Sequence, residues 1–479
     1  MIMKILFISA EVFPFAKRGG LADVAGSLPK ALKHMGHDVR IVMPAYNMIE
    51  LGYASGNLDI RPTENPFQVQ VDGLYTEAGA FVGRLPGTHI PIYFVAQKQL
   101  LGRAEIYGYQ DDAYRFAFFS KAALNLVVEG FGWKPDVLHA HDWHTAPAVT
   151  WLATAGQNES AYAGIKSLFT IHNLAHHGRT NWHIFNYLQL HTHSLEEEGY
   201  DEVNFMARGI FHASKVNTVS PTYAEEILTQ AGGTGLDGLL RYRGSNVSGI
   251  LNGLDTDVWD PSTDKNLRAK FSATKLAPRK KNKAHLQEMM GLEVNEEIPI
   301  LSMISRLDYQ KGLDLMGEVV YRLLEGECGP AQIILLGSGD QTYEEMFRQF
   351  AERYPGKVAA EFSYRADLAP LIYGGSDMFL MPSLFEPCGL GQLIAMRYGT
   401  VPIVRATGGL ADTVIEDETG FVFDNYSTNS FWHAVQKATY VYNSDKKRWK
   451  AIQKNGMKQD FSWDKSAQQY EQLYQEILN

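Results

Sequence analysis

Gly19-Gly20-Leu21-Ala22-Asp23 recurs as Gly408-Gly409-Leu410-Ala411-Asp412, with the two copies near opposite ends of a 479-residue chain. Each copy follows an apolar run that reads as a buried strand, residues 4–9 in one case and 401–405 in the other, and each precedes a stretch with helical spacing. A strand, a glycine pair and a helix start bring backbone N–H groups and the positive end of a helix dipole to one place, where an anion can sit. The repeat thus predicts two α/β domains, each with a phosphate-facing loop. A turn-only reading stands beside it, because the same glycines also serve positive φ and close helix-to-strand packing.

The length supports two domains, since a single core usually stops growing well short of 479 residues. With 45% hydrophobic and 20% charged residues, the composition is that of a globular protein with a large core. A formal net charge of −10 sets nucleic acid and anionic membranes aside as main partners. It leaves room for a small anion held by a few local cations. Two cysteines, Cys328 and Cys388, are too few for a disulfide framework and suit a reducing compartment. No charged leader with an apolar core precedes the strand pattern at Lys4, and no apolar stretch approaches a membrane span. The expectation is a cytoplasmic enzyme, with association to a granule or a plastid-like compartment left open.

Up to about residue 251, short apolar runs alternate with amphipathic stretches, the βαβ signature of a mostly parallel sheet. Strands are predicted at 5–9, 39–44, 91–95, 137–141, 166–171 and 215–219, and helices at 23–34, 112–131 and 145–154. Pro29 predicts a kink or an early stop in the first helix. Residues 51–101 read as an inserted hairpin region, and 178–200, His-rich and aromatic, as a long functional loop. A second alternation follows 252–261, with strands at 298–304, 332–336, 358–362, 378–381 and 401–405. Its helices are expected at 281–290, 313–326, 343–354, 367–374, 392–398 and 429–442, and the polar, basic stretch 260–279 reads as a surface excursion. The fold class is α/β: two Rossmann-like doubly wound domains, 1–247 and 248–458, facing across a deep cleft at the carboxyl ends of their strands, followed by a helical segment at 459–479.

Several stretches can carry chemistry. Lys17 precedes the first glycine pair, where a lysine meets a phosphate as a point charge or simply faces solvent. Ser305-Arg306-Leu307-Asp308-Tyr309-Gln310-Lys311-Gly312 follows one predicted strand, so Arg306 and Lys311 leave its carboxyl end together and could neutralise a diphosphate leaving group. Pro382-Ser383-Leu384-Phe385-Glu386-Pro387-Cys388-Gly389-Leu390-Gly391 follows another, with Glu386 fixed between a proline and a glycine turn and able to hold sugar hydroxyls. Cys388 has no evident base and reads as a small packing residue. In His139-Ala140-His141-Asp142-Trp143-His144, His139 and His141 share one face of a strand, and His172, His176 and His177 follow. The spacing favours a sugar-binding or packed cluster over a metal site. Asp255-Thr256-Asp257 lies in the interdomain turn and reads as turn chemistry.

Taken together, these stretches resemble the bacterial glycogen synthase and plant starch synthase family, retaining glucosyltransferases of the GT-B fold. The resemblance runs from Lys4 to the final helix through Lys17 with Gly19-Gly20-Leu21, the His139 to His144 phrase, Ile171-His172-Asn173-Leu174, Asn252-Gly253-Leu254-Asp255, Ser305-Arg306-Leu307 with Gln310-Lys311-Gly312, Glu386-Pro387-Cys388-Gly389-Leu390, and Thr407-Gly408-Gly409-Leu410. It implies transfer of glucose from ADP-glucose, as donor substrate and with no cofactor or metal, to the non-reducing end of an α-1,4-glucan. Arg306 and Lys311 would bind the departing diphosphate, Lys17 would reach the distal phosphate across the cleft, and Glu386 would grip the donor sugar. Asp142 and His172 would hold the transferred glucose and the acceptor side. Gly19, Gly20, Gly408 and Gly409 would allow close backbone approach, with Cys388, Gly389, Leu390 and Thr407 completing the nucleotide-sugar site. Asp23 belongs to the same group as a hydroxyl ligand or a helix cap. Front-face attack without a protein nucleophile agrees with the absence of a glycosidase-type carboxylate pair. The resemblance also implies that the last helix returns to the first domain.

Two departures stand out. Arg18 occupies a place that is usually small or apolar, and Ile394 replaces the second glutamate of related glycosyltransferases. Two other readings have separate signatures. An α-glucan phosphorylase needs a pyridoxal phosphate site and usually a longer chain. A non-catalytic glucan binder fits the 12% aromatic content but gives no use for Lys17, Arg306 and Lys311.

Overall fold

A computed structural model describes residues 2–190, 192–363, 365 and 367–479. The chain forms two compact units, one comprising the residues up to Gly253 together with Trp463–Asn479, the other Leu254–Ser462. Both are built on parallel sheets, whose two buried faces require continuous apolar strands. Ile5, Leu6, Phe7 and Ile8 of the strand Lys4–Ile8 are all withdrawn from solvent.

In the first unit the strand order is Val247–Gly249, Lys215–Thr218, Lys166–Ile171, Val137–His141, Lys4–Ile8, Asp38–Pro44 and Pro91–Ala96, all parallel. Antiparallel Leu74–Arg84 and Ile60–Pro62 extend the sheet. Phe67–Val71 pairs with Leu74–Arg84 through Asp72-Gly73. Both turn residues have positive φ, 52° and 74°, as a two-residue hairpin matched to strand twist demands. Strand order reverses at Lys4–Ile8, where Ile5 stands beside Val39 on one side and Val137 on the other. The loops after Ile8 and after His141 therefore leave the sheet side by side, the place where doubly wound sheets bind ligands.

The second unit has the order Val358–Glu361, Gln332–Leu336, Ile300–Ile304, Met378–Met381, Val401–Arg405 and Phe421–Phe423, again parallel. Its reversal lies between Ile300–Ile304 and Met378–Met381, so the stretches beginning at Ser305 and Pro382 emerge as neighbours.

Three expectations are corrected. Helix Gly20–His34 does not stop early at Pro29; Leu28, Pro29, Ala31 and Leu32 are all buried, and that packing offsets the lost backbone hydrogen bond. The stretch 260–279 is not a mere surface excursion: Leu267, Phe271 and Leu276 are buried, and so is Arg279. The Arg279 guanidinium donates to Tyr398 O, Ser376 O and Thr400 Oγ1 at 2.9, 2.5 and 2.7 Å. The segment 178–200, of which His191 lies outside the described residues, carries the helix His183–Leu188 and a buried ion pair from Glu198 to Arg208 at 2.5 Å.

The final helix, Trp463–Leu478, buries Trp463, Ala467, Tyr470, Leu473, Tyr474 and Ile477 in the same apolar core as Val24 and Leu28 of helix Gly20–His34. Ser466 Oγ donates to Leu251 O at 2.5 Å, and Leu254 N–H donates to Phe461 O at 2.6 Å. Among the described residues no helix is long and apolar enough to cross a membrane.

Candidate active site

In the second unit the sharpest feature is an ion pair between neighbouring loops. Lys311 Nζ lies 2.7 Å from Glu386 Oε2, with only 16% and 8% of the two side chains exposed. Ser383 Oγ donates to the same carboxylate oxygen at 3.1 Å. The loops are stitched by backbone geometry. Leu384 N–H donates to Gln310 O at 2.8 Å, and Gln310 Nε2 donates to Phe385 O at 3.2 Å. Gly312 has φ +72°, and a Cβ there would lie 2.0 Å from Pro382 O. Arg405 braces the Glu386 loop by donating Nε to Ser383 O at 2.8 Å and Nη2 to Leu384 O.

The second glycine pair belongs to this scaffold. A Cβ on Gly408, at φ +44°, would fall 2.0 Å from Glu386 O, and one on Gly409 would fall 2.2 Å from Cys388 O. Gly409 N–H donates to Glu386 O and Pro387 O, both at 3.2 Å. That one amide is spent inside the protein, where the glycine pair packs beneath Glu386. Thr407 and Cys388 are buried. Gln392 Nε2 donates to Cys388 O and Gly389 O at 3.0 Å each, Gly389 has φ +73°, and Leu390 caps helix Gly391–Arg397. Arg306 is 57% exposed, with Nη1 3.1 Å from Asp308 Oδ2, a far more exposed cation than Lys311. Ile394 is buried in an apolar cluster with Leu393 and Met396.

In the first unit Lys17 Nζ sits 2.7 Å from Asp23 Oδ1, on the first turn of helix Gly20–His34. Asp23 is thus a partner of Lys17, and the cap position is filled by Gly19. A Cβ on Gly19 or Gly20 would meet nothing within 4 Å, so nothing inside the protein demands these glycines. The loop is tied down by Glu11, which lies two residues beyond Ser9 and is buried. Its Oε2 accepts the N–H groups of Arg18 and Gly19 at 2.5 and 3.0 Å, and its Oε1 accepts from Tyr107 Oη at 2.7 Å. Burial raises the Glu11 carboxyl pKa above its usual value, and these hydrogen bonds oppose the rise. The Arg18 side chain points outward, 3.4 Å from Glu105, with both more than half exposed.

Asp142 follows strand Val137–His141 in a left-handed conformation, φ 56°, which short polar side chains tolerate. Its Oδ1 accepts the N–H groups of His172 and Asn173 at 2.7 and 3.4 Å. Burial pushes its pKa up to about 7 against those two bonds. His172 is pulled down to about 3 by burial, so it is neutral, and its Nε2 lies 3.0 Å from His141 Nδ1. Three further histidines have partners within the first unit. His139 lies between Tyr474 Oη at 2.8 Å and Thr170 Oγ1 at 2.6 Å, His144 stacks on Tyr107 with centroids 4.6 Å apart, and His177 Nε2 meets Thr234 Oγ1 at 3.0 Å. Asp255 Oδ1 accepts from Asp257 and Val258 N–H groups at 3.1 and 3.3 Å, as a turn aspartate does.

The expected residues therefore gather in pairs, Lys17 with Asp23, Asp142 with His172, and Lys311 with Glu386. Glu11, Tyr107 and Arg405 escape a reading of the sequence as site residues, whereas Ser383 and Gln310 stand in the quoted motifs without a role of their own. Only Glu11 left a trace, as an acid embedded in the apolar run Ala10-Glu11-Val12-Phe13.

Comparison with known proteins places these features in a family. Residues 4–242 match the family model for the starch synthase catalytic domain, and residues 287–458 match that for glycosyl transferases group 1. The glycogen synthase of Thermotoga maritima is 41% identical over 485 residues, covering 99% of each chain. That of Clostridium novyi is 41% identical over 487 residues, covering all of both. Among solved structures, the catalytic domain of starch synthase IV from Arabidopsis thaliana, bound to ADP and acarbose, superposes with a TM-score of 0.91 at 34% identity over the whole of both chains. A sucrose-phosphate synthase from Thermosynechococcus elongatus shares the fold alone, at 18% identity and a TM-score of 0.61. With both family models matched in order and full-length relatives at this identity, the chain belongs to the glycogen and starch synthase family of GT-B glycosyltransferases.

Proposed function

We propose that the protein transfers glucose from ADP-glucose to the non-reducing end of an α-1,4-glucan with retention of anomeric configuration. The observation that carries this reading is the shielded Lys311–Glu386 pair where strand order reverses in the second unit. A carboxylate held by Lys311 and Ser383 is ready to accept sugar hydroxyls, and the ammonium beside it can take phosphate oxygens. As the bond from C1 to the phosphate oxygen breaks, negative charge grows on the leaving ADP, and Lys311 and Arg306 stabilise it. The acceptor O4 attacks C1 from the face the phosphate leaves, and its proton passes to a phosphate oxygen. No protein nucleophile and no cofactor enter this scheme. In the first unit, Lys17 offers a further cation for phosphate, and Asp142 with His172 offers polar groups for the glucose and the acceptor. The starch synthase IV relative bound to ADP and acarbose supports a nucleotide diphosphate with an oligosaccharide as the substrate pair.

The test is nucleotide release from ADP-glucose and UDP-glucose in the presence of glycogen. ADP-glucose is expected to support glucan extension, and Lys311→Ala to lower kcat by roughly 10²–10³-fold, the range for loss of one preorganised charge-stabilising group. Extension from neither donor, or full activity in Lys311→Ala, would show the reading to be wrong.

A further inference from the structure

The contact between His141 and His172 bears on how the first unit presents its polar groups. His141 is fully buried on strand Val137–His141, and its ring packs against Phe7, His139 and His172 with centroid separations of 5.5, 4.2 and 5.2 Å. Its Nδ1 meets His172 Nε2 at 3.0 Å, whereas its Nε2 is buried with no hydrogen-bond partner among the described residues. Burial holds both rings neutral, so each carries one N–H and a single proton lies between Nδ1 and Nε2.

Two proton arrangements are possible. If His172 donates through Nε2, the His141 proton must sit on the orphaned Nε2, leaving a buried N–H with no acceptor. If His141 donates through Nδ1, the orphan is only a lone pair. Buried unpaired N–H groups are the rarer and costlier of the two. The second arrangement fixes His172 as the tautomer protonated at Nδ1, which has no hydrogen-bond partner among the described residues and is not enclosed as the His141 orphan is.

Neighbouring groups keep His141 in place without competing for its proton. The His141 backbone N–H is accepted by Thr145 Oγ1 at 2.6 Å. His139 is committed elsewhere: the Thr170 hydroxyl donates to Asn217 Oδ1 at 2.5 Å, so it must accept from His139 Nε2–H. His139 Nδ1 then accepts from Tyr474 Oη. Asn217 Nδ2 donates in turn to Tyr470 Oη at 3.1 Å. Each group in that chain has a fixed direction, and none draws on His141.

We infer that His141 is a positioning residue that holds His172 in the Nδ1–H tautomer, so that His172 meets a substrate hydroxyl as a neutral N–H donor. This rests on the role proposed for His172 above, but the tautomer can be read without turnover. Selective ¹⁵N-histidine labelling with two-bond ¹H–¹⁵N correlation, the His172 resonances being assigned by their loss in His172→Gln, reports which nitrogen carries the proton. The wild type is expected to show Nδ1–H. His141→Asn places an amide N–H near the vanished Nδ1 and is expected to keep that tautomer, whereas His141→Leu is expected to give a mixture or the Nε2–H form. In steady-state assays His141→Leu is expected to lose kcat by roughly tenfold or more, as misoriented groups do, with KM for ADP-glucose within about twofold. His141→Asn is expected to recover most of that loss. Thermal unfolding of both variants separates lost orientation from lost fold. An Nε2–H His172 in the wild type overturns the inference, as does a His141→Leu protein that is folded, keeps the tautomer and keeps kcat. An altered tautomer with unchanged kcat would keep the positioning and overturn the role of His172 in the reaction.

Discussion

An alanine at Gly408 would drive its Cβ to 2.0 Å from Glu386 O at φ +44°, whereas alanine at Gly19 or Gly20 would meet nothing within 4 Å. Gly408→Ala is therefore expected to cost about 2–4 kcal/mol in stability, from positive φ and a backbone clash together. Gly20→Ala is expected to change the unfolding midpoint little and to lower nucleotide release, if a phosphate needs the space. Urea unfolding and nucleotide release on the two variants distinguish these roles. Asp142 gives a second test at this scale. Its folded pKa of about 7 stands above its ordinary 3.8, so the folded state binds the extra proton. The stabilisation is full below about pH 4 and is lost as the pH rises through about 7. Asp142→Asn is expected to flatten that decline, and at pH 8 to exceed the wild type by up to about 4 kcal/mol, while glucan extension falls. Unfolding curves at pH 5 and pH 8 check the sign. Glu11, raised in the same direction by burial, leaves a smaller residual slope in the variant.

Among the elements, the helix Arg279–Met289 is seated by several buried polar side chains, Arg279 at its start and Asn282, Lys283 and Gln287 along it. Arg279 is buried and donates to three carbonyls and a hydroxyl. Arg279→Met strands those acceptors and is expected to cost about 2–4 kcal/mol, read from the urea midpoint. This element also marks where the sequence was opaque. Strands such as Val137–His141, Lys166–Ile171 and Gln332–Leu336 could be bounded to the residue because a doubly covered parallel strand is a short stretch rich in apolar residues and ended by a polar loop. The 260–279 stretch has no period, and its buried Leu267, Phe271 and Leu276, separated by charged and polar residues, pack with Tyr373, Phe379 and Tyr398 from a distant part of the chain. Phe421–Phe423 is too short to announce itself. The site shows the same division. Lys311 and Glu386 follow apolar strands and were legible, but their pairing depends on which strands are neighbours. Arg405 acts through contacts to backbone oxygens and Ser383 through the Glu386 carboxylate, and neither contact leaves a pattern along a sequence. Pro29 misled because its local cost is visible in one residue, while the packing that offsets it is spread over a whole helix face.

At the scale of the whole molecule, the second unit is one continuous stretch, Leu254–Ser462, whereas the first is made from both ends of the chain. Removing residues 463–479 would withdraw Trp463, Tyr470, Leu473, Tyr474 and Ile477 from the core of the first unit. At about 1.5–3 kcal/mol for each large apolar side chain, that loss is as large as the whole stability of an ordinary domain. The truncated chain is expected to aggregate or to lose the cooperative transition of the first unit, while a 254–462 fragment retains a single sigmoidal transition by circular dichroism. The returning helix also orders events during synthesis. Chains emerge N-terminus first, at about 5–20 residues per second, so the strands of the first unit are made before any of the second. Yet His139 waits for Tyr474, Asn217 for Tyr470, and Leu251 for Ser466. The unit that is begun first is finished only once Trp463–Leu478 has been made, and His139 gains its bond to Tyr474 no sooner.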